Sequence, residues 1–332
     1  MTRLSVIGAG SWGTALAIVL APRFEEVRLW VYEADLAERM RRTRQNDVFL
    51  PGVVLPANVG VRTQLAEALE NAGIVLGVMP SHHARRVYSA MLDFVTPGML
   101  FVSATKGIEN GTLLRMSEVI AQVIGPGFAP RVAVLSGPTF AREVARGEPT
   151  ALVVSLHDAE LARRVQSAFS GPTFRLYTNG DPIGVELGGA LKNVIAIGAG
   201  IIQGLGLGSN AMAALITRGL AEITRLATLA GGAPLTLAGL AGLGDLVLTC
   251  HGELSRNRRV GVELAKGRRI DQIVAEMKMV AEGVETTYAA VDLARRYGVE
   301  MPIAEQMNAI LRLGRPPREA IRELMERSLK GE

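Results

Sequence analysis

The sequence predicts an α/β protein in two parts, a doubly wound N-terminal domain followed by an all-α C-terminal domain. Three observations carry this prediction. Short apolar strand patterns alternate with helix patterns up to about residue 180, which is typical of βαβ units and a mostly parallel sheet. Beyond that point the apolar residues recur only at helical spacing. A glycine-rich turn at residues 8–13 (GAGSWG) joins the first strand pattern to the first helix pattern.

The N-terminal part contains strand patterns separated by helix patterns. The strand patterns cover residues 3–7, 27–31, 74–78, 100–104, 132–135, 151–155 and 174–177. The helix patterns cover residues 12–20, 34–44, 64–71, 81–94, 112–123 and 158–169. Proline and glycine interrupt the segment 47–62, which we interpret as a loop.

The C-terminal part shows no convincing strand pattern. Helices are predicted over residues 183–203, 211–230, 256–266, 270–278, 284–297, 302–313 and 317–328, with a glycine-rich turn at 231–244. The turn signal Asn179-Gly180-Asp181-Pro182 places the boundary near residues 180–185. We therefore divide the chain into residues 1–183 and 184–332.

Composition excludes several protein classes. The 36 basic residues exceed the 32 acidic ones by only four and are scattered, so nothing points to nucleic acid. The single cysteine, Cys250, excludes an internal disulfide framework, and the four histidines lack zinc-type spacing, so we predict no metal site. Two features stand out: 37 of 332 residues are glycine, and only five of the basic residues are lysine. That rarity draws attention to Lys106 and Lys192.

Two apolar segments raise the question of a membrane. The first 21 residues could form a signal peptide, but the glycine pattern within them is better explained by a retained site. Residues 193–217 carry no charge and are long enough to span a bilayer. Because they contain five glycines, we favour a buried helix broken by a glycine-rich turn. We expect a cytoplasmic protein without membrane insertion.

The glycine turn fits the G-x-G-x-x-G pattern of Rossmann-type dinucleotide-binding domains. Gly8 would allow the tight turn, Gly10 would let the backbone approach a pyrophosphate, and Gly13 would let helix and strand pack closely. The free N–H groups at the helix start would then meet the phosphates. A glycine-rich turn without a ligand is the alternative.

Glu33 follows the second strand pattern, 20 residues after Gly13. An acidic residue at that point accepts hydrogen bonds from the ribose 2′-OH and repels a 2′-phosphate, so Glu33 favours NAD over NADP. Capping of the following helix is the alternative role.

Two more strand patterns end in residues that should face the same crevice. One is followed by Met79-Pro80-Ser81, and the other by Thr105-Lys106-Gly107. Ligands of open α/β sheets lie beyond the carboxyl ends of the strands, so we expect Lys106 where the nicotinamide and the substrate would meet. A solvated lysine at a strand end is the alternative.

Further motifs follow in order along the chain. They are residues 135–141 (LSGPTFA), 186–193 (ELGGALKN), 239–245 (GLAGLGD), 255–259 (SRNRR) and 280–284 (VAEGV). Together with residues 8–17 (GAGSWGTALA), this series closely resembles the bacterial NAD(P)-dependent sn-glycerol-3-phosphate dehydrogenase family over essentially the whole chain.

The resemblance implies a C-terminal domain like that of 6-phosphogluconate dehydrogenase. It also implies interconversion of dihydroxyacetone phosphate and sn-glycerol 3-phosphate with NAD(H) or NADP(H), mainly as ketone reduction that supplies glycerophospholipid synthesis. With the residues of the glycine and ribose patterns, the expected cofactor-binding residues are Gly8, Gly10, Ser11, Trp12, Gly13, Tyr32, Glu33, Lys106, Ala141, Arg256, Val280 and Glu282. The implied substrate-binding residues are Lys106, Gly137, Thr139, Lys192, Asp245, Ser255, Arg256 and Asn257, with Lys192 as proton acceptor in the oxidation direction.

The chain departs from the family pattern in two places. Thr139 stands where many members carry serine, a change that keeps the hydroxyl. Tyr32 and Glu33 stand where many members carry basic residues, which puts the usual NADP preference in doubt here.

Ketone reduction leaves an alkoxide that needs a proton from a nearby cation. Lys192 lies in a helix pattern of small and apolar residues, so burial would lower the pKa of its ammonium, and Lys106 would add to that effect. Asp245 would hold Lys192 and oppose part of the shift. A lysine that reaches solvent from a core helix is the alternative.

The substrate's phosphate needs a fixed anion site. Ser255 has the character of an N-cap, and the N–H groups of the helix it starts, together with Arg256, suit a dianion. Asn257 adds a neutral donor, whereas Arg258 and Arg259 better fit a solvent-facing turn.

Two other functions remain open from the residues. One is a different hydroxy-acid or sugar-phosphate dehydrogenase of the same plan. The other is a non-catalytic dinucleotide-sensing regulator, which would not need Lys192 or Asp245. The apolar helical domain also favours a homodimer.

Overall fold

The computed structural model describes residues 3–277, 279–329 and 331, so Lys278 and Lys330 lie outside the described residues. Within these ranges the strands are β1 (Arg3–Ile7), β2 (Glu26–Trp30), β3 (Gln45–Asn46), β4 (Leu50–Val54), β5 (Val59–Arg62), β6 (Ile74–Gly77), β7 (Leu100–Ser103), β8 (Arg131–Ser136), β9 (Thr150–Ser155) and β10 (Phe174–Asn179). Eight of them form one sheet in the order β10-β9-β8-β7-β6-β1-β2-β5.

This sheet is doubly wound, as predicted. Neighbouring strands run parallel except β8 and β9, which are antiparallel. The strand order reverses at β1, because β2 and β5 continue to one side and β6, β7 and β8 lie on the other. Open α/β sheets bind ligands at such a reversal, beyond the carboxyl ends of the strands.

Helices cover both faces of the sheet. They are α1 (Ser11–Leu20), α2 (Ala34–Thr43), α3 (Leu65–Leu69), α4 (Ser81–Ala90), α5 (Met116–Ile124), α6 (Ala141–Ala145) and α7 (Ala159–Phe169). Strand side chains alternate between the faces, so the adjacent residues Val6 and Ile7 enter different hydrophobic cores. The core around Val6 includes α1, α2 and α7, and the core around Ile7 includes α3, α4 and α5.

The prediction of a loop over residues 47–62 was wrong. The segment contains β4, which pairs with β3 in a short antiparallel hairpin, and β5, which extends the sheet beside β2. The alternation of apolar and polar residues that indicates a strand is not recognisable here, because proline and glycine interrupt β4 and β5 has only four residues. The predicted helix 112–123 begins later, at Met116.

The C-terminal part of the described chain is helical. Its elements are α8 (Pro182–Gly204), α9 (Ser209–Leu229), α10 (Pro234–Leu237), a π-helical segment (Leu240–Gly244), α11 (Asp245–His251), α12 (Arg256–Ala265), α13 (Ile270–Glu276), α14 (Glu282–Tyr297), α15 (Pro302–Leu313) and α16 (Pro317–Met325). The predicted boundary at residues 183/184 lies in the first turn of α8.

Among the residues that the structure describes, two stretches are apolar and long enough to cross a membrane by length and composition, Pro182–Gly204 and Pro234–His251. The apolar window of the first is entirely buried inside the protein, and 44% of the second is buried. Helix α8 is therefore the central helix of a packed core, and the uncharged run 193–217 is broken between α8 and α9 as predicted.

Glycines let α12 lie directly against α8. A Cβ on Gly200 would overlap the carbonyl oxygen of Arg258, and a Cβ on Gly261 would overlap that of Ile197. The two backbones therefore approach more closely than larger residues allow. This approach brings the start of α12, where the predicted phosphate site lies, beside the middle of α8.

A buried carboxylate ties α8 to the sheet domain. Glu186 is 8% exposed and accepts hydrogen bonds from the Arg115 guanidinium at 2.7 Å and from the Ser117 backbone N–H at 2.8 Å. The Ser117 hydroxyl donates a third bond at 2.6 Å. The contact fixes α8, and the lysine it carries, relative to the start of α5.

A second buried carboxylate holds α15. Glu222 in α9 is 2% exposed and accepts hydrogen bonds from the backbone N–H groups of Ile303 and Ala304, at the start of α15. Burial raises the pKa of Glu222 to about 7, and the two N–H groups oppose part of that shift.

Because the folded pKa of Glu222 lies above its unfolded value, its stabilising contribution is complete below about pH 4.5 and is lost as pH rises through about 7. Glu222→Gln cannot ionise. Between about pH 5 and about pH 8, the unfolding free energy of the variant should therefore increase relative to that of the wild type by about 2.5 kcal/mol. Urea unfolding at both pH values measures this difference.

Glu38→Gln, the same chemical change at an exposed position of α2, is the control. It should leave the pH dependence of unfolding as in the wild type. An equal pH dependence in the wild type and Glu222→Gln would contradict the assignment.

Candidate functional site

The glycine turn has the conformation that the sequence pattern predicts. Gly8 has φ +114°, a region that favours glycine, and a Cβ there would overlap the carbonyl oxygen of Val78. A Cβ on Gly13 would overlap the carbonyl oxygen of Gly8. Gly8 therefore allows the turn, and Gly13 lets α1 start close to it.

The start of α1 is open to an incoming anion. Gly10 is the N-cap residue, no side chain caps this end of the helix, and a Cβ on Gly10 would meet no atom within 4 Å. Ser11 and Trp12 form the first turn, whose N–H groups have no partner within the helix. The indole Nε1 of Trp12 is also buried without a hydrogen-bond partner among the described residues. These features fit the pyrophosphate of a dinucleotide.

Asn46, which the sequence analysis missed, holds the glycine turn from the side. Its side chain is fully buried, and its Nδ2 donates to the carbonyl oxygen of Ala9 and to Thr14 Oγ1, both at 2.8 Å. Its Oδ1 accepts from the Phe49 N–H at 2.9 Å. The β3–β4 hairpin is thereby anchored to the centre of the turn.

Tyr32 and Glu33 lie past the end of β2, at the opposite end of the site from the lysines. Tyr32 is 67% exposed, and Glu33 is also exposed. Glu33 occupies the N-cap position of α2, but its side chain accepts no capping hydrogen bond. The capping alternative for this carboxylate is therefore wrong.

Lys106, Lys192 and Asp245 form one buried cluster, which we call the lysine–aspartate cluster. Asp245, the first residue of α11, is fully buried and accepts a hydrogen bond on each carboxylate oxygen. Lys192 Nζ from α8 donates to Oδ1, and Lys106 Nζ, which follows β7, donates to Oδ2 at 2.6 Å. The cluster joins the sheet domain to two elements of the helical domain.

Thr249 completes the cluster and was not found from the sequence. Its hydroxyl accepts from Lys192 Nζ at 2.6 Å and donates to the Asp245 carbonyl oxygen at 2.7 Å. Thr249 lies four residues after Asp245, on the same side of α11. That spacing was the available signal, but no helix was predicted there.

The surroundings of Lys192 tune its proton affinity. Lys192 is 5% exposed, and burial lowers the pKa of its ammonium to about 8. The Asp245 carboxylate opposes this shift, and the positive charge of Lys106 adds to it. An amine with such a pKa can give up and regain a proton near neutral pH. A lysine that reaches solvent is therefore the wrong interpretation.

The loop after β8 lies against Lys106. Lys106 Nζ donates to the carbonyl oxygen of Gly137 at 2.9 Å, and the Thr139 hydroxyl donates to the same oxygen at 3.2 Å. Gly137 has φ +149°, and a Cβ there would lie 2.7 Å from the Cβ of Leu152. The structure therefore brings Gly137 and Thr139 to the lysine–aspartate cluster.

The start of α12 reaches the site through Asn257. The Ser255 hydroxyl accepts a hydrogen bond from the Arg258 N–H at 3.2 Å. Ser255 is therefore the N-cap of α12, as predicted. Asn257 is buried, donates to Asn193 Oδ1 at 2.9 Å and accepts from the Gly283 N–H at 2.9 Å. These contacts use only one of its two amide hydrogens, so the other can serve a ligand.

Arg256 is a cation without a fixed partner. It is the first residue of α12 and makes no hydrogen bond or ion pair with the residues that the structure describes. Burial lowers the pKa of its guanidinium, and the carboxylate of Glu282 opposes part of that shift. A partly desolvated cation at a helix start is suited to an anionic ligand.

Glu282 connects the helical domain to the sheet domain. It is the first residue of α14, and its carboxylate accepts from the Ser81 N–H at 3.0 Å and from the Ser81 hydroxyl at 2.6 Å. Burial raises the pKa of Glu282. Val280 is half-buried just before it, and Ala141, at the start of α6, packs with Trp12 against the sheet core.

Two family models match the chain. The N-terminal model of NAD-dependent glycerol-3-phosphate dehydrogenase matches residues 3–162, and the C-terminal model of the same enzyme matches residues 181–322.

Whole-chain relatives agree with these matches. An NAD(P)+ glycerol-3-phosphate dehydrogenase of Koribacter versatilis is 60% identical, covering 98% of this chain and 98% of the relative. The NAD(P)+ glycerol-3-phosphate dehydrogenase of Syntrophobacter fumaroxidans is 53% identical, covering 99% of this chain and 97% of the relative. The crystal structure of glycerol-3-phosphate dehydrogenase from Coxiella burnetii, 40% identical, superimposes with a TM-score of 0.93 over 98% of this chain and 99% of that one.

Asn46→Leu, at nearly constant size, removes the hydrogen bond to Ala9 in the glycine turn and the one to Thr14 in α1. We expect the turn to relax and the affinity for NADH and NADPH to fall by up to about thirtyfold, since the two bonds contribute about 1 kcal/mol each. Calorimetric titration of each dinucleotide measures the loss, and the KM for the second substrate should change less than about twofold.

Gln45→Leu also replaces a side-chain amide by leucine, at the preceding position of β3 whose side chain points to the other face of the strand, and serves as control. If Asn46→Leu lowers only the melting temperature and leaves both dissociation constants unchanged, Asn46 does not position the turn.

Proposed function

Because the chain belongs to the NAD-dependent glycerol-3-phosphate dehydrogenase family, we propose that it reduces dihydroxyacetone phosphate to sn-glycerol 3-phosphate. The chain is an NAD(P)-dependent oxidoreductase, so it is not a non-catalytic regulator. Because it belongs to the glycerol-3-phosphate dehydrogenase family, the alternative of another dehydrogenase is also excluded. The observation that carries the proposed chemistry is the lysine–aspartate cluster, in which burial lowers the pKa of the Lys192 amine to about 8.

The bound dinucleotide supplies a hydride to the ketone carbon. The glycine turn and the first turn of α1 would hold its pyrophosphate, and Tyr32 and Glu33 would face its adenosine ribose. Near the nicotinamide end, Lys106, Ala141, Arg256, Val280 and Glu282 are the remaining residues that we assign to it.

Lys192 is the proton donor in this proposal. Hydride addition turns the carbonyl oxygen into an alkoxide, and the Lys192 ammonium transfers a proton from Nζ to that oxygen. Asp245 and Thr249 hold Nζ in place, which supports a defined direction of transfer. In the oxidation direction neutral Lys192 takes the proton back.

The substrate's phosphate would bind at the start of α12. Arg256 supplies a charge without a fixed partner, and Ser255 and Asn257 supply the cap and a neutral donor. Lys106, Gly137 and Thr139 would contact the other end of this three-carbon substrate, beside Lys192.

A spectrophotometric assay tests the function. The purified chain, mixed with dihydroxyacetone phosphate and NADH or NADPH, should oxidise the dinucleotide and form glycerol 3-phosphate in equal amount. The absence of turnover with both dinucleotides would reject the proposal.

We extend the proposal to the cellular role. Ketone reduction would supply glycerophospholipid synthesis from the cytoplasm, with NAD favoured by Glu33, and without nucleic-acid partners or membrane insertion. A homodimer through the helical domain is supported by its exposed apolar side chains, among them Leu229 (54% exposed) and Leu235 (87% exposed).

The turnover rate of ketone reduction should fall as pH rises through about 8, because Lys192 loses the proton it must donate. Asp245 raises the Lys192 pKa and Lys106 lowers it, so their removal acts in opposite directions. Asp245→Asn should move the fall in kcat to lower pH, and Lys106→Met should move it to higher pH. Profiles of kcat against pH measure both shifts.

Lys192→Met should lower kcat by at least about 10²-fold with its remaining activity independent of pH in this range. Shifts of the same sign in Asp245→Asn and Lys106→Met would contradict the role of Lys192.

Arg256→Ala should lower kcat/KM for dihydroxyacetone phosphate by roughly 10-fold to 150-fold, equivalent to about 1.5–3 kcal/mol for one charged hydrogen bond. Arg259→Ala removes an exposed cation from the same helix and should have little effect. Unchanged KM and kcat in Arg256→Ala would refute its place at the phosphate.

A further inference from the structure

The adenosine end of the crevice has an aromatic platform. Tyr32, past the end of β2, is 67% exposed, and the edge of its ring packs with Trp30 at 6.0 Å between centroids. Glu33 follows it with an exposed carboxylate. This inference rests on the proposed function, which places the adenosine ribose of the dinucleotide here. NAD and NADP differ at the 2′-oxygen of that ribose.

Arg86 is the cation that faces this platform. It is an exposed residue of α4, and its Cζ lies 5.8 Å from the centroid of the Tyr32 ring. Within residues 3–277 and 279–329 it forms no ion pair. Helix α4 starts beyond β6, on the other side of β1 from β2, so Arg86 and Glu33 approach the crevice from opposite sides.

Neighbouring arginines are already occupied. Arg85 donates to both oxygens of Glu109 at 2.8 Å and to Gln122 at 2.6 Å. Arg62, at the end of β5, turns back toward Glu26, with 3.5 Å between nitrogen and oxygen. Of these three arginines, Arg86 alone keeps its guanidinium available to a ligand at Tyr32.

The chemistry of NADP matches this arrangement. NADP carries a phosphate on the 2′-oxygen of the adenosine ribose, with about −1.5 to −2 charge near neutral pH. A guanidinium binds phosphate with two parallel N–H groups and stacks on aromatic faces. Glu33 alone would repel that phosphate, whereas Arg86 attracts it.

We propose that Arg86 is a cofactor-specificity residue, whose guanidinium beside Tyr32 binds the 2′-phosphate of NADP(H) and offsets the repulsion from Glu33. NAD(H), without this phosphate, gains nothing from Arg86 and hydrogen-bonds to Glu33. The pair of opposite charges thus allows one site to accept both dinucleotides.

Binding of two cofactor fragments tests the proposal without turnover. Calorimetry gives the Kd of 2′,5′-ADP, which carries the 2′-phosphate, and of 5′-AMP, which lacks it. Arg86→Gln should weaken 2′,5′-ADP about fivefold or more and change 5′-AMP less than about twofold. Arg86→Lys should keep part of the preference because it keeps the charge. Arg164→Gln, which removes an exposed cation from α7 at the far edge of the sheet, is the charge-matched control.

Steady-state kinetics of ketone reduction give a second test. Arg86→Gln should lower kcat/KM for NADPH about fivefold or more relative to NADH, and Glu33→Arg should change this ratio in the opposite direction. Added salt should reduce the effect, because it screens exposed charges.

Equal changes for both fragments, or a ratio of their Kd values within about twofold of the wild type, would overturn the role of Arg86. Turnover of dihydroxyacetone phosphate by the wild type would still uphold the proposed function in that case. Absence of turnover with both dinucleotides would reject the proposed function itself.

Discussion

The fully buried carboxylate of Asp245 is the interaction on which the rest of the structure depends. An ionised carboxylate without partners is too costly to bury, so both of its oxygens require cations or strong donors. Lys106 comes to it from the end of β7 and Lys192 from the middle of α8. The fold must therefore bring a strand end, the central helix and the start of α11 to one point, and that convergence sets how the two domains meet.

The same convergence explains the charge of the site. Two ammonium groups around one carboxylate leave a net positive charge in a buried place, which suits the dianionic substrate of the proposed reaction and the alkoxide that its reduction would form. Asp245 keeps the two lysines from repelling each other, yet burial still holds the pKa of Lys192 well below its usual value. One cluster thus attaches the two domains to each other and holds the amine that we propose as the proton donor.

Much of this could be predicted from the sequence, because the signals were local. The strand–glycine–helix pattern predicted the conformation of the glycine turn, and the rarity of lysine indicated Lys106 and Lys192. Asn46 and Thr249 were missed, and the contact of Ser81 with Glu282 was not foreseen, because each role depends on a partner that is distant in the sequence. Asn46 also lies beside a segment that was assigned as a loop, so nothing in its surroundings indicated a buried amide.

The site has two groups of charged residues. We propose that one sets the choice between NAD and NADP and that the other sets the pKa of Lys192. Glu33 and the guanidinium of Arg86 lie beside Tyr32, past the end of β2, whereas the lysine–aspartate cluster lies beyond β7, on the far side of β1 and β6. Adjacent strands are about 4.8 Å apart, so three strand spacings exceed the Debye length of about 8 Å at physiological salt. The outer pair is therefore screened from the inner cluster, and substitutions in the two groups should add in free energy. Cofactor choice can then change without disturbing the proton affinity of Lys192.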